Sequence, residues 1–208
     1  LDPNWLIITT TLSWSDSSPT TDCSGRRCAP PLNRSVRQQT ESSMQVQATR
    51  RQIIGLAGWL LLAFIVSAIG AAASLQAKSF YEQLVQPVWA PPSWVFGPVW
   101  TVLYVLMAVA AWLVWRCGGF RQNRLPLGFF LVQLVLNALW SWLFFGWRLG
   151  GWAFADILAL LVSLAITIVL FWHVRPAAGA LLIPYLLWVA FAAALNYVVW
   201  QMNPQVLG

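Results

Sequence analysis

The sequence predicts an all-α integral membrane protein, a bundle of five transmembrane helices, on three observations. The chain is 59% hydrophobic and only 9% charged, where a soluble domain carries roughly 25% charged residues. Apolar runs near twenty residues, the length that crosses about 30 Å of hydrocarbon, recur after residue 52. The basic residues gather at the ends of those runs instead of forming a stripe with interleaved aromatics, so the net charge of +6 fits membrane loops and calls for no nucleic-acid partner. Cys23, Cys28 and Cys117 are odd in number and lack metal-ligand spacing, which argues against a metal site or a disulfide framework.

Residues 1–48 read as an N-terminal tail without regular structure, ahead of a membrane domain over 49–208. The first 43 are rich in Ser, Thr, Pro and Arg and have no apolar periodicity. Met44 followed by QVQATRR resembles an ordinary protein start, so an over-extended reading frame is expected before it. The alternative is a genuine Arg-bearing, Ser-rich targeting extension.

The first helix is expected from about Ile53 to Ser74, anchored by Arg50 and Arg51, with small residues at Ala63, Ser67 and Ala71 whose spacing of four suits ordinary bundle packing. Leu75 to Gly97 follows as a loop, long enough without structure of its own to suggest a function. The second helix opens with Pro98 in its first turn, where a missing N–H costs nothing, and runs to about Trp115. Arg116, Arg121 and Arg124 mark a short connection. Further helices are expected from about Pro126 to Trp147, Trp152 to His173 and Ala178 to Gln201, with short connections that make consecutive helices antiparallel neighbours. From Met44 onward one side then holds Arg50, Arg51, Arg116, Arg121, Arg124 and Arg175, and the other only Lys78 and Arg148. That bias predicts a cytoplasmic N-terminus, with the first loop and the C-terminus on the opposite side.

Tryptophan is over-represented, at 15 residues. Interfacial anchoring accounts for Trp115, Trp147, Trp152, Trp172 and Trp200 near helix ends, but less well for Trp140 and Trp188 nearer mid-span. Trp100 shares a helix face with Tyr104. Asn137 shares one with Trp140, Ser141 and Phe144, and Asn196 one with Trp188 and Ala192. An amide inside a span needs a partner or a cavity. Either asparagine alone reads as interhelical glue; together with the aromatic faces they outline a pocket with flat apolar walls and a few orienting polar groups. Asp156, the only acid in a span, reads as a helix-dipole partner, a cap or an ion-pair member. His173, at a helix end, is weak ground for iron ligation. The sequence has no carboxylate pair, nucleophile triad, phosphate loop or HExxH. Hydrolase and transferase chemistry is thereby disfavoured, while photochemistry on a bound pigment, which needs no acid–base pair, stays open.

Three runs carry a resemblance: QPVWAPPSWVFGPVWTVLY from Gln86 to Tyr104, LNALWSWLFFG from Leu136 to Gly146, and PYLLWVAFAAALNYVVWQMN from Pro184 to Asn203. In this order and spacing the chain, over about residues 53–203, resembles the TspO/MBR family, the tryptophan-rich sensory and translocator proteins. The resemblance implies the family's five-helix fold, commonly dimeric, with a pocket beneath the first loop lined by helices 1, 2, 3 and 5. It implies binding of a tetrapyrrole, protoporphyrin IX or haem, as ligand, with no obligatory cofactor. Matched by motif, Trp100, Asn137, Trp188, Ala192 and Asn196 would form the pocket, joined by Tyr104 and Trp140 from the shared helix faces, and Trp89, Pro91, Pro92 and Trp94 would form its lid. Leu195 and Tyr197 match part of the cholesterol pattern of animal members, but Gln201 replaces its basic residue, which disfavours cholesterol. The function implied is a membrane-embedded porphyrin-binding sensor, regulator or transporter in stress or pigment metabolism, and not an enzyme. Two alternatives stand beside it: light- and oxygen-dependent porphyrin breakdown with Trp100 participating, and transport of a sterol or another small molecule.

Overall fold

The computed structural model describes residues 34–73 and 77–208. The chain divides into two compact units, Leu1–Ser42 and Ser43–Gly208. In the first, the described residues 34–42 are helical, and the Ser42 hydroxyl donates to the Gln39 carbonyl at 3.0 Å.

Helix α1 is Arg34–Ala73, so residues 34–48 are helical where the sequence suggested none. The reason is local: RSVRQQTESSMQVQATRR has no Gly or Pro and is rich in Gln and Arg, which lose little freedom in a helix. Residues 1–33, with Cys23 and Cys28, lie outside the described residues, as does Ser74, the expected end of the first helix. The remaining elements are α2 (Ala77–Gln83), a 3₁₀ turn (Ser93–Val95), α3 (Phe96–Trp115), α4 (Gly119–Gln122), α5 (Arg124–Ser141), a π-turn (Trp142–Gly146), α6 (Gly150–Val174), α7 (Pro176–Leu181), α8 (Ile183–Met202) and α9 (Pro204–Leu207). Among the described residues five segments are long and apolar enough to cross a membrane: Thr49–Ala73, Ser93–Trp115, Arg124–Gly146, Gly150–Val174 and Pro176–Met202.

Helix α6 is the middle of the bundle and packs on both α5 and α8, while α3 packs on α5 and α7. Its inward face carries Ile157, Leu160, Leu164 and Phe171, which join Met107, Leu127, Phe130, Leu134 and Tyr185 in a fully buried core. Close approach of α3 depends on small residues, since Ala108, Ala110 and Ala111 are all completely buried. Helix α1 lies at the periphery, with 17% of its most apolar window buried against 39% for α6. Tryptophans fasten it along its length. The Trp112 indole donates to the Gln52 carbonyl at 3.1 Å and the Trp142 indole to the Ile69 carbonyl at 3.2 Å. Between them Trp59 packs edge-on against Phe130, with ring centroids 5.6 Å apart.

Two expected regularities are broken. The last span is interrupted at Leu182, because Pro184 has no N–H to return to the preceding turn. The Leu182 N–H instead reaches Gly179 O at 3.1 Å, and the ladder resumes with Leu186 N–H to Leu182 O at 3.0 Å. The first loop, expected to be irregular, has structure of its own: α2, a Pro87–Ala90 turn closed at 2.9 Å, and the 3₁₀ turn begun by the Val95 N–H to Pro92 O bond at 3.0 Å. Asn203 pins it to the far end of α8. Its Oδ1 accepts from the Val85 N–H at 2.8 Å, and its Nδ2 donates to the Val85 carbonyl at 2.9 Å and the Val199 carbonyl at 2.8 Å. A single amide thus satisfies both backbone groups of a loop residue, as a neighbouring strand would.

Candidate functional site

A cavity of about 500 Å³ lies under this loop, walled by α1, α3, α5 and α8. That volume falls within the roughly 300–1,000 Å³ of small-molecule sites. Helix periodicity builds each wall. Trp100 and Tyr104, one turn apart on α3, face inward with Phe96, Gly97 and Thr101; Asn137, Trp140 and Ser141 come from one face of α5; Trp188 and Ala192 come from one face of α8. Helix α1 supplies Ser67, Gly70 and Ala71, and the loop supplies Tyr81, Ser93 and Trp94.

The aromatic residues brace one another. Trp100 lies tilted over Tyr104 at 5.7 Å and edge-on to Tyr185 at 6.1 Å. Trp188 meets Phe96 edge-on at 5.9 Å and Phe191 at 5.6 Å. Trp140 stacks on Phe144 at 5.5 Å with planes 15° apart. Such contacts hold broad ring faces in fixed orientations, which lowers the ordering cost of binding a flat partner. Polar groups are few and specific. The Asn137 amide donates to the Tyr104 hydroxyl at 3.1 Å, with both residues buried at the inner end of the cavity. The Thr101 hydroxyl donates to its own helix at Gly97 O, 2.9 Å away. Nε1 of Trp188 is a buried donor with no hydrogen-bond partner among the described residues.

Seven of the eleven residues singled out from sequence line this one cavity: Trp94, Trp100, Tyr104, Asn137, Trp140, Trp188 and Ala192. Four lie elsewhere. Asn196 sits behind Trp140, accepting its indole N–H at 3.0 Å and donating to Gly150 O at 3.3 Å. It therefore orients a wall residue and ties α8 to the start of α6. Trp89 points onto Phe191, with ring centroids 5.8 Å apart, and remains half exposed. Pro91 and Pro92 act through their carbonyls, Pro91 O accepting from the Tyr81 hydroxyl at 3.5 Å and Pro92 O from the Val95 N–H. They shape the loop without lining the space beneath it.

Sequence reasoning passed over several lining residues. Ser67 and Ala71 were legible as a small-residue stripe, but the stripe divides: Ala63 is buried in the core, while its continuation one and two turns on faces the cavity. Phe145 reaches the cavity from the π-turn, a feature that widens a helix locally and recurs at functional sites. Tyr81 comes from α2, an element not expected at all; burial raises its phenol above the ordinary value.

Among the described residues the lining contains no His, Cys, Met or carboxylate. His173 is exposed at the end of α6, its ring Nδ1 2.7 Å from Val169 O. Asp156 departs from its expected role. It makes neither a cap nor an ion pair among the described residues, and it is buried with Oδ2 lacking a partner. The reason is position, since the seventh residue of α6 is past the free N–H groups of the first turn.

The sequence model of the TspO/MBR family matches residues 56–201. The chain is 46% identical to the Translocator protein of Homo sapiens over 126 residues, 60% of this chain and 75% of that one. It is 38% identical to the Tryptophan-rich protein TspO of Chlorobaculum tepidum over 157 residues, 74% and 99% of the two chains. With the Tryptophan-rich sensory protein of Cereibacter sphaeroides it shares 36% identity over 149 residues, 70% and 92%. All of the cavity-lining residues fall inside the matched region. With five apolar spans and this match, the chain is a multi-pass integral membrane protein that belongs to the TspO/MBR family.

Proposed function

We propose that the chain binds a flat tetrapyrrole in the cavity beneath the first loop and works as a membrane sensor or carrier of that ligand. The observation that carries this reading is the cavity itself: about 500 Å³ between the ring faces of Trp100, Trp140 and Trp188, with the Asn137–Tyr104 pair as a polar end-stop. Aromatic walls suit a planar conjugated ring, and isolated donors suit its carboxylate or pyrrole edges. Because the lining offers no His, Cys or Met, the residues fit a ring held by its faces better than a haem held through iron. The absence of carboxylate, imidazole and thiol from the lining also favours binding over acid–base or nucleophilic catalysis. The names of the relatives, translocator and sensory protein, agree with carriage or sensing.

The excess of arginine at the end where α1 enters the bundle supports a cytoplasmic N-terminus, with the cavity opening toward the opposite side. Cysteine labelling from either side of sealed vesicles checks that orientation. A homodimer is proposed from the family resemblance, and mass photometry in nanodiscs checks it.

Titration of the purified chain with protoporphyrin IX, read by tryptophan fluorescence, tests the main reading. Saturable quenching is expected, and Trp100→Ala combined with Asn137→Ala weakens it at least about tenfold, or ~1.4 kcal/mol. Absence of quenching, or quenching indifferent to the double substitution, sinks the reading.

A further inference from the structure

Where the Thr49–Ala73 span begins, midway along α1, a second recess of about 340 Å³ lies between α1 and the end of α3, lined by Gln47, Arg50, Arg51, Ile54, Gly55 and Trp115. We infer that it is a binding site for the phosphate headgroup of an anionic membrane lipid, whose acyl chain follows α1 into the bilayer.

The floor of the recess is built for the purpose of holding an indole against backbone. A Cβ on Gly55 would meet Trp115 Cζ3 at 2.3 Å, so the ring fits there only because the residue is glycine. The Arg51 guanidinium lies 5.9 Å from the Trp115 ring centroid, and on the neighbouring turn Arg116 lies 4.5 Å above Trp112. Trp112 in turn donates to the Gln52 carbonyl, which sets the distance between the two helices at this level. Stacking on rings orients the guanidinium groups without using their N–H donors, leaving the planar fork available for phosphate oxygens.

Charge complementarity selects an anion. This end of the bundle carries Arg50, Arg51, Arg116, Arg121, Arg124 and Arg175, whereas the only acids described in the second unit, Glu82 and Asp156, belong to α2 and the start of α6 at the other end. None of these arginines makes an ion pair among the described residues. The surface below the recess selects a lipid over a soluble phosphate. Ile54, Gly58, Leu61 and Ile65 share one face of α1; Gly58 has open space where a Cβ would project, and the three larger residues are exposed. A headgroup held by Arg50 and Arg51 therefore stands directly over an apolar track. Basic recesses between transmembrane helices are a recurrent mode of anionic-lipid capture.

The test uses the full chain in nanodiscs of phosphatidylcholine containing phosphatidylglycerol, with bound lipid counted by native mass spectrometry. Preferential retention of phosphatidylglycerol is expected, and R50Q/R51Q weakens it roughly 30-fold, the contribution of two arginines beside an anionic surface. R121Q/R124Q removes the same charge from the same end away from the recess, and is expected to change retention less than about twofold if the site is local. Equal retention of the two lipids, or equal losses in the two double variants, overturns the inference. Displacement by inorganic phosphate at matched ionic strength also overturns it, and reassigns the recess to a soluble anion.

Discussion

Helices α1 and α6 have spans of equal length, 25 residues, and similar mean hydropathy, 2.4 and 2.6, yet one is peripheral and the other central. Hydropathy accounts for both crossing a membrane and for neither position. What separates them is which residues face protein. Along α6 the inward residues are large and interlock with three neighbours, and its Ser163 and Thr167 turn inward, Thr167 donating to Ser163 O at 2.7 Å. Along α1, Leu60, Leu62 and Val66 still pack against the core beside Trp59 and Ala63, but the residues that face the cavity, Ser67, Gly70 and Ala71, are too small to fill the space that α3 and α5 leave. Lipid tails are as apolar as leucine, so nothing expels α1 from lipid, and packing alone decides how closely it docks. The cavity exists because the apolar seam of this helix stops at Val66, beyond which it is held by the Trp142 indole at Ile69 and presents only small residues.

The largest effect should come from truncating one large apolar side chain to alanine on each of the two helices. Phe171→Ala on α6 removes a fully buried ring stacked at 5.8 Å on Phe130 and is expected to destabilise by roughly 3–5 kcal/mol. Leu61→Ala on α1, 63% exposed, should change stability by less than about 0.5 kcal/mol. Equilibrium unfolding in mixed micelles would read both, and similar losses would break the comparison. Next, Ser67→Leu places a large side chain at the cavity wall. Porphyrin affinity should fall about tenfold with stability nearly unchanged, because the side chain occupies space and not core. A large stability loss would show that α1 is packed there as tightly as α6.

Smaller effects come from the fastenings. Trp112→Phe and Trp142→Phe each delete one indole N–H bond to an α1 carbonyl, and each should cost ~0.6 kcal/mol, the average for interhelical hydrogen bonds in membranes. Hydrogen exchange of α1 amides should accelerate while α6 amides stay protected. The smallest is a pH effect in the loop that joins α1 to α3. Burial raises the Tyr81 phenol above its ordinary value near 10.0. Its packing contribution is therefore complete below that value and is lost as pH rises through the higher folded one. Protection of the 77–95 amides, taken relative to their base-catalysed intrinsic exchange, should fall in that alkaline range, and Tyr81→Phe should abolish the fall. Unchanged protection through tyrosinate formation would contradict it.

Much of the cavity was readable beforehand because helix geometry is local. Trp100 with Tyr104, Asn137 with Trp140, and Trp188 with Ala192 are pairs set three or four residues apart, so once each segment is helical both members share a face. Asn196 shows the limit. Periodicity places it on the Trp188 face, but only the proximity of α5 shows that its amide is occupied by Trp140 and Gly150 instead of the cavity. The loop was misread for a similar reason. Its own turns close on Pro87 and Pro92, while the bonds that pin it to the bundle come from Asn203, 118 residues away from Val85. The break at Leu182 was missed, the last helix being expected unbroken, although Pro184 marks it; the π-turn at Trp142–Gly146 has no comparable mark in its residue types.

Membrane insertion, the number of spans, the sidedness of charge and the facing of residues within each helix are set by composition and by a 3.6-residue period, and these the sequence determines by itself. Which helix lies at the centre, where α1 fails to close on α3 and α5, and which polar side chains are already partnered depend on contacts between segments far apart in the chain. Those were decided by tertiary packing alone, because in a bilayer every span is equally apolar outside, and only the fit of large against small side chains distinguishes one arrangement from another.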